Sequence, residues 1–197
     1  MTGSLGDGIH SVGVQHWDRR LFDELIPLPD GTSYNSYFIQ GSEKTVLIDT
    51  VDPEKSGELL ANLEKLGVKK LDFVIANHAE KDHSGSIPDV LKAYPNAKVV
   101  TNEKCKEILQ DIMEIEDEKF KVIEDGEELT LGERTLRFIF TPWVHWPETM
   151  LTLLEEDKIL FTCDLFGSHL ASSEIYANDE CQVYEAAKRY YAEIMMP

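Results

Sequence analysis

Residues His78, Ala79, Glu80, Lys81, Asp82 and His83 crowd two imidazoles and two carboxylates into one short run, directly behind the apolar stretch 71–76. A buried strand that ends on four such groups has to give them a partner, because a desolvated ionisable group left alone is costly. In extended backbone, residues two apart face the same side. The spacing therefore aims His78 and Glu80 at one cation, while Asp82 and His83, past the turn, reach a second. A solvated polar loop is the usual fate of a charge cluster, but its position behind a buried strand favours a metal site.

Two further candidates lie downstream. His145 sits between two prolines and two tryptophans in Thr141-Pro142-Trp143-Val144-His145-Trp146-Pro147, a rigid loop after an apolar strand. Asp164 follows Ile159-Leu160-Phe161-Thr162-Cys163, so its carboxylate also needs a partner to offset burial. The donor set is then three imidazoles (His78, His83, His145) and three carboxylates (Glu80, Asp82, Asp164), with no thiolate. Cys163 is expected to face the core by strand alternation. Mixed imidazole and carboxylate sets suit iron or manganese better than zinc. Six donors exceed what one ion with an open position needs, and this favours two metals bridged by Asp164.

With 197 residues the chain can bury a substantial core without disulfides, and its length favours one domain. Cys105, Cys163 and Cys181 form no C-x-x-C pair and are odd in number, which suits a reducing cytoplasm. Residues 1–8 lack the pattern of a secretion signal, and no window is long and apolar enough to span a membrane. A net charge of −18, from 37 acidic and 19 basic residues, repels nucleic acid and anionic lipid. The expectation is a soluble cytoplasmic protein with no nucleic-acid or membrane partner.

Strand patterns fall at 9–17, 34–40, 45–50, 71–77, 98–101, 119–123, 135–141, 150–155 and 159–163. Helical patterns fall at 53–66, capped by Asp52 and closed by Gly67, and at 87–94, 103–113 and 181–195. Hairpin-length turns, Asp125-Gly126 and Gly132-Glu133 among them, separate several strands, while the middle of the chain alternates strand and helix. This mixture implies an α/β arrangement with helices outside stacked mixed sheets.

The pattern H-x-[EH]-x-D-H after a strand, then a distal histidine, then an aspartate after another strand resembles the metallo-β-lactamase fold, a four-layered αββα sandwich. Glu80 stands where zinc hydrolases of that fold carry histidine. That residue, the segments 141–147 and 162–167, and the early stretches 17–22 and 31–35 resemble the flavodiiron proteins, or A-type flavoproteins, over essentially the whole chain. The resemblance implies that His78, Glu80 and His145 hold one iron and that Asp82 holds the other with Asp164 bridging. His83 joins the second iron in some members and is swung away in others. It also implies reduction of O2 to water or of NO to nitrous oxide, with electrons from FMN and with a homodimer in which the flavin of one subunit faces the irons of the other.

The chain departs from that family in two ways. The family's last histidine ligand, in a Ser-His-Gly-like motif beyond the bridging aspartate, has no counterpart in the 33 residues after Asp164. No segment offers the FMN-phosphate loop of a flavodoxin-like domain. The expectation is one metallo-β-lactamase-like diiron domain over 1–197, truncated at its C-terminus, with FMN on a missing domain or partner chain and a flavodoxin or rubredoxin-type donor. His169 is expected near the bridge, as a substitute ligand or, preferably, as a pocket residue that hydrogen-bonds a ligand or bound oxygen species. His10 and His16 are assigned structural roles, and Trp143, Trp146, Tyr34 and Phe166 are candidate pocket walls. Two other functions fit the residues: a diiron oxygen-sensing or binding module, and a zinc hydrolase of the same fold acting on esters or thioesters.

Overall fold

The computed structural model describes residues 2–196. Its larger sheet has seven strands in the order Gly3–Gly6, Ile9–Ser11, Tyr37–Gln40, Thr45–Ile48, Phe73–Ile75, Lys98–Thr101 and Phe120–Val122. The first four pair antiparallel, the second and third across the excursion of residues 12–36, and the last three join in parallel. The parallel half follows from the helices between its strands, since a parallel neighbour needs a crossover. A second, antiparallel sheet is formed by Glu128–Thr130, Thr135–Phe140, Met150–Leu154 and Ile159–Phe161.

Side-chain alternation in the central strands separates the layers. Leu47, Val74 and Val99 join the core shared with Leu59 and Leu63 of the helix Ser56–Lys65, Ile87 and Val90 of Ile87–Ala93, and Cys105 and Leu109 of Glu103–Met113. Their neighbours Val46, Ile48, Ile75 and Val100 point the other way, onto Leu136, Phe138, Met150, Leu154 and Phe161 of the second sheet. Strands buried on both faces read as continuous apolar runs, which is why 45–48 and 73–75 stand out in the sequence. Helices therefore lie outside two stacked sheets.

The helix starts follow from local chemistry. Asp52 accepts the Glu54 amide at 3.0 Å ahead of a first-turn proline, and Asn102 accepts the Cys105 amide at 2.9 Å. The last helix runs Glu180–Tyr190 and ends in a π-helical turn, Tyr191–Met195.

Several expected strands differ. Segment 9–17 is two strands, because after Ser11 the chain leaves the large sheet and Val14–His16 pairs instead with Thr32–Tyr34. Gly13 sits at the crossing, where an added Cβ would lie 2.2 Å from the Tyr34 carbonyl. Gly13→Ala is therefore expected to cost about 1–3 kcal/mol as overpacking against backbone, seen as a lower urea midpoint with an unchanged slope. Asp125-Gly126 is not a hairpin turn, since the strands on either side of it belong to different sheets. The strands Gly3–Gly6, Leu21–Phe22, Ile26–Pro27 and Glu128–Thr130 are too short or too polar to show in the pattern. No helix among the described residues is long and apolar enough to cross a membrane.

Candidate metal centre

The strand Phe73–Ile75 delivers His78 through Asn77, which is bolted to both sheets. Asn77 donates from its backbone and side-chain amides to Asp49 at 2.8 and 2.9 Å, accepts from Thr152 Oγ1 at 2.7 Å, and its carbonyl takes the Met150 amide at 2.9 Å. Glu80 keeps extended backbone and caps the short helix Lys81–Ser84, so Asp82 and His83 stand on a helical turn. Ser84 Oγ bonds the Ala79 and Glu80 carbonyls, and the Thr50 amide holds the His83 carbonyl at 2.6 Å. Asp164 lies in a turn past Phe161, and His145 comes from the loop before Met150–Leu154.

All six expected ligands converge. His78 Nε2 and His145 Nε2 each lie 3.2 Å from Glu80 Oε2 and 3.3 Å from Asp164 Oδ2. The other oxygen of Asp164, Oδ1, lies 3.0 Å from His83 Nε2, which is 3.4 Å from Asp82 Oδ2. Two donor groups result: His78, Glu80, His145 and Asp164, and Asp82, His83 and Asp164, the donors of each lying within 4.8 Å of one another. Asp164 belongs to both and gives one oxygen to each side.

The electrostatics are those of a cluster that needs positive charge. His78 is fully buried, Asp164 and His83 nearly so, and Asp82 Oδ1 and Asp164 Oδ2 are buried without a hydrogen-bond partner. Burial pushes Asp82 up to about 7. Burial would raise Asp164 as well, but the His83 charge, the close approach of His145 and the hydrogen bond from His83 hold it well below the carboxylate range. Against the effect of burial, hydrogen bonds to Glu148 and Glu80 lift His78 to about 9, and those to Asp164 and Glu80 lift His145 to about 9. Without a metal, protons on imidazole are the counter-charge. Divalent cations would take that role with the same atoms, so this oxygen and nitrogen donor set fits two of them.

His169 stands outside both groups. Its Nδ1 pairs with Thr32 Oγ1 at 3.0 Å, its ring lies between Phe22 and Tyr190, and its Nε2 is buried with no partner. Tyr190 links it to the cluster by donating its hydroxyl to Asp164 Oδ1. Among the expected walls, Trp146 packs edge-on against His78 with ring centroids 5.1 Å apart. Trp143 and Phe166 instead turn outward, each 73% exposed. Tyr34 is buried in a separate network, accepting from Arg19 and paired with His16 Nδ1, each at 2.9 Å. Cys163 joins neither metal group, but strand alternation is not the reason. The strand ends at Phe161, and Cys163 sits in a left-handed turn at φ 42.

Two contributors escape the sequence reading. Glu148 accepts from His78 Nδ1 at 2.7 Å, and its one signal is an acid in the loop two residues before a buried strand. Tyr190 carries none, being one aromatic in an ordinary amphipathic helix.

Stacked sheets flanked by helices, with a two-group donor cluster at the strand ends, define a metallo-β-lactamase-like fold with a dinuclear candidate site. Residues 32–197 match the family described as ODP family beta lactamase, and the chain belongs to it. It is 44% identical over its whole length to an uncharacterized protein of Methanocaldococcus jannaschii, covering 50% of that protein. It is 35% identical to a rubredoxin-oxygen oxidoreductase of Megalodesulfovibrio gigas, over 97% of this chain and 48% of the relative. The solved flavodiiron protein of Giardia intestinalis superposes with a TM-score of 0.92 at 35% identity, over 98% of this chain and 47% of that one. The chain thus spans about half the length of the curated relatives it matches.

Proposed function

We propose that the chain is the diiron half of an O2- or NO-reducing oxidoreductase. The observation that carries the reading is the division of Asp164, one oxygen toward His78 and His145 and the other toward His83. His78, Glu80 and His145 would hold one iron, Asp82 and His83 the other, with Asp164 shared. Bound iron would supply electrons and Lewis acidity to a small diatomic molecule. Carboxylates in both groups favour the ferric state, and Glu80 in particular favours iron over the zinc of a hydrolase. Trp146 keeps water from one side of His78, and the free Nε2 of His169 offers a hydrogen bond to a small ligand. Relatives named for O2 and for nitric oxide reduction support either substrate.

The reducing electrons come, in this reading, from FMN on another domain or chain, through a flavodoxin or rubredoxin-type donor, in a cytoplasmic homodimer. Anaerobic loading with ferrous iron is expected to proceed in two steps and to end at two ions per chain. The four-donor group should fill first, because the other has only three. Addition of reduced FMN or flavodoxin with O2 or NO should then consume the gas faster than free iron does. A single bound ion, or zinc at full occupancy after growth in iron-rich medium together with esterase turnover, would overturn the proposal. A diferric state that persists beside reductant would point to an oxygen sensor instead.

A further inference from the structure

We infer that Glu148 is a positioning residue for the metal centre: it fixes the tautomer in which His78 presents Nε2 to a cation, and it backs that imidazole with a buried negative charge. The inference rests on the two-metal reading above.

Neither side chain of this pair has any exposure. Glu148 Oε1 lies 2.7 Å from His78 Nδ1 and also accepts the Ala79 amide at 3.0 Å, so one oxygen grips both the ring and the backbone that follows it. An ionised carboxylate only accepts, so the proton must sit on Nδ1. That leaves Nε2, the nitrogen facing Glu80 and Asp164, as the one free to bind a metal.

Glu148 is itself held. Its carbonyl accepts Asn102 Nδ2 at 2.7 Å, and the same Asn102 caps the helix Glu103–Met113. The ring of His78 is further pinned edge-on by Trp146, two residues before Glu148. The clamp therefore runs from a helix cap, through a buried acid, to one ligand nitrogen.

The other two imidazoles lack this support. The carboxylate contacts of His83 and of His145 among the described residues all use Nε2, the side that faces the cluster. A carboxylate behind a ligating imidazole orients it and makes it a stronger donor, and losing such a partner costs about 10–100-fold in metal affinity. The two metal positions are accordingly unequal. The one served by His78 binds more tightly and is biased toward the more highly charged ion.

Three substitutions separate the parts of this role. Glu148→Ala removes acceptor and charge, Glu148→Gln keeps an acceptor oxygen and drops the charge, and Glu148→Asp keeps the charge on a shorter arm. Competition with a coloured chelator measures ferrous affinity, and nitrogen-15 NMR of the protein loaded with zinc alone reads the ring tautomer. Voltammetry of the iron-loaded chain gives the potentials. Thermal melts of the metal-free proteins identify any variant that has not folded.

For Glu148→Ala, the tighter ion should lose about 10–100-fold in affinity and the far-downfield Nδ1 proton should vanish. Glu148→Gln should lose less affinity, and one iron should move to a more positive potential. Glu148→Asp should recover part of both. If the alanine variant does not fold, the glutamine and aspartate pair carry the comparison. A folded Glu148→Ala protein with parental affinity, or a Glu148→Gln protein with unchanged potentials, overturns the role of Glu148 and leaves the two-metal reading standing. Failure of the parent chain to bind iron or zinc overturns both.

Discussion

Replacement of Asp164 by alanine is expected to reduce the chain from two bound metal ions to at most one. No other residue among those described belongs to both donor groups, and none sends its two oxygens to different sides of the cluster. Without it the first group keeps His78, Glu80 and His145, three donors of the kind that hold a catalytic metal with an open position. The second keeps Asp82 and His83 alone, too few to retain an ion against dialysis. The surviving ion should bind more weakly by more than about 100-fold, beyond the loss caused by deleting a ligand's outer partner.

Asp164→Asn separates bridging from charge. An amide has one acceptor oxygen, and the nitrogen that replaces the other is a donor with no lone pair for a metal. The asparagine variant should therefore also stop at one ion, although it preserves side-chain volume and the acceptor for Tyr190. Metal content after dialysis against a weak chelator decides the matter. Two ions retained by Asp164→Asn would show that the carboxylate contributes field rather than a bridge, and the bridged arrangement would lose its main support.

The sequence shows the inner layer of the candidate site because that layer breaks a strong local rule. His78 and Asp164 are polar groups at the ends of runs that otherwise read as buried strand, and only a partner in the fold makes such placements tolerable. The two double-faced strands, 45–48 and 73–75, are legible for the same physical reason: burial on both faces leaves a nearly continuous apolar run, broken only by Thr45 at its start. Segment 9–17 misleads because its pattern is continuous while its hydrogen bonding is not. What divides it is a close backbone approach at Gly13, which leaves no trace in hydrophobic periodicity.

The supporting layer is silent for a different reason. Glu148 meets His78 from 70 positions further along the chain, and Tyr190 meets Asp164 across a turn of fold that no spacing rule encodes. An acid in a loop and a tyrosine on a helix are individually unremarkable. They gain meaning only when the second sheet and the last helix bring them against the candidate ligands. His169 lies between these cases: its nearness to Asp164 in sequence suggests a role at the bridge, and the structure connects it there through Tyr190 rather than directly.

Asp49→Ala is expected to damage stability and metal binding together, although Asp49 belongs to neither donor group. This carboxylate closes the strand Thr45–Ile48 in a left-handed conformation at φ 52 and takes both amides of Asn77. Both residues are buried, so alanine leaves two donors without acceptors, each at about 1–3 kcal/mol. The folded state should lose roughly 2–6 kcal/mol on that arithmetic. The same change frees Asn77, whose backbone leads directly into His78 and whose side chain reaches Thr152 of the second sheet. Iron affinity should therefore fall even in the fraction that remains folded, and more than it falls in Gly13→Ala at a matched loss of stability. Urea unfolding with and without metal, run on both variants, measures the two effects separately. Equal metal affinity in the two variants would mean that Asp49 holds the sheet alone; a selective loss in Asp49→Ala would place the registration of the two sheets at Asn77 among the determinants of the metal site.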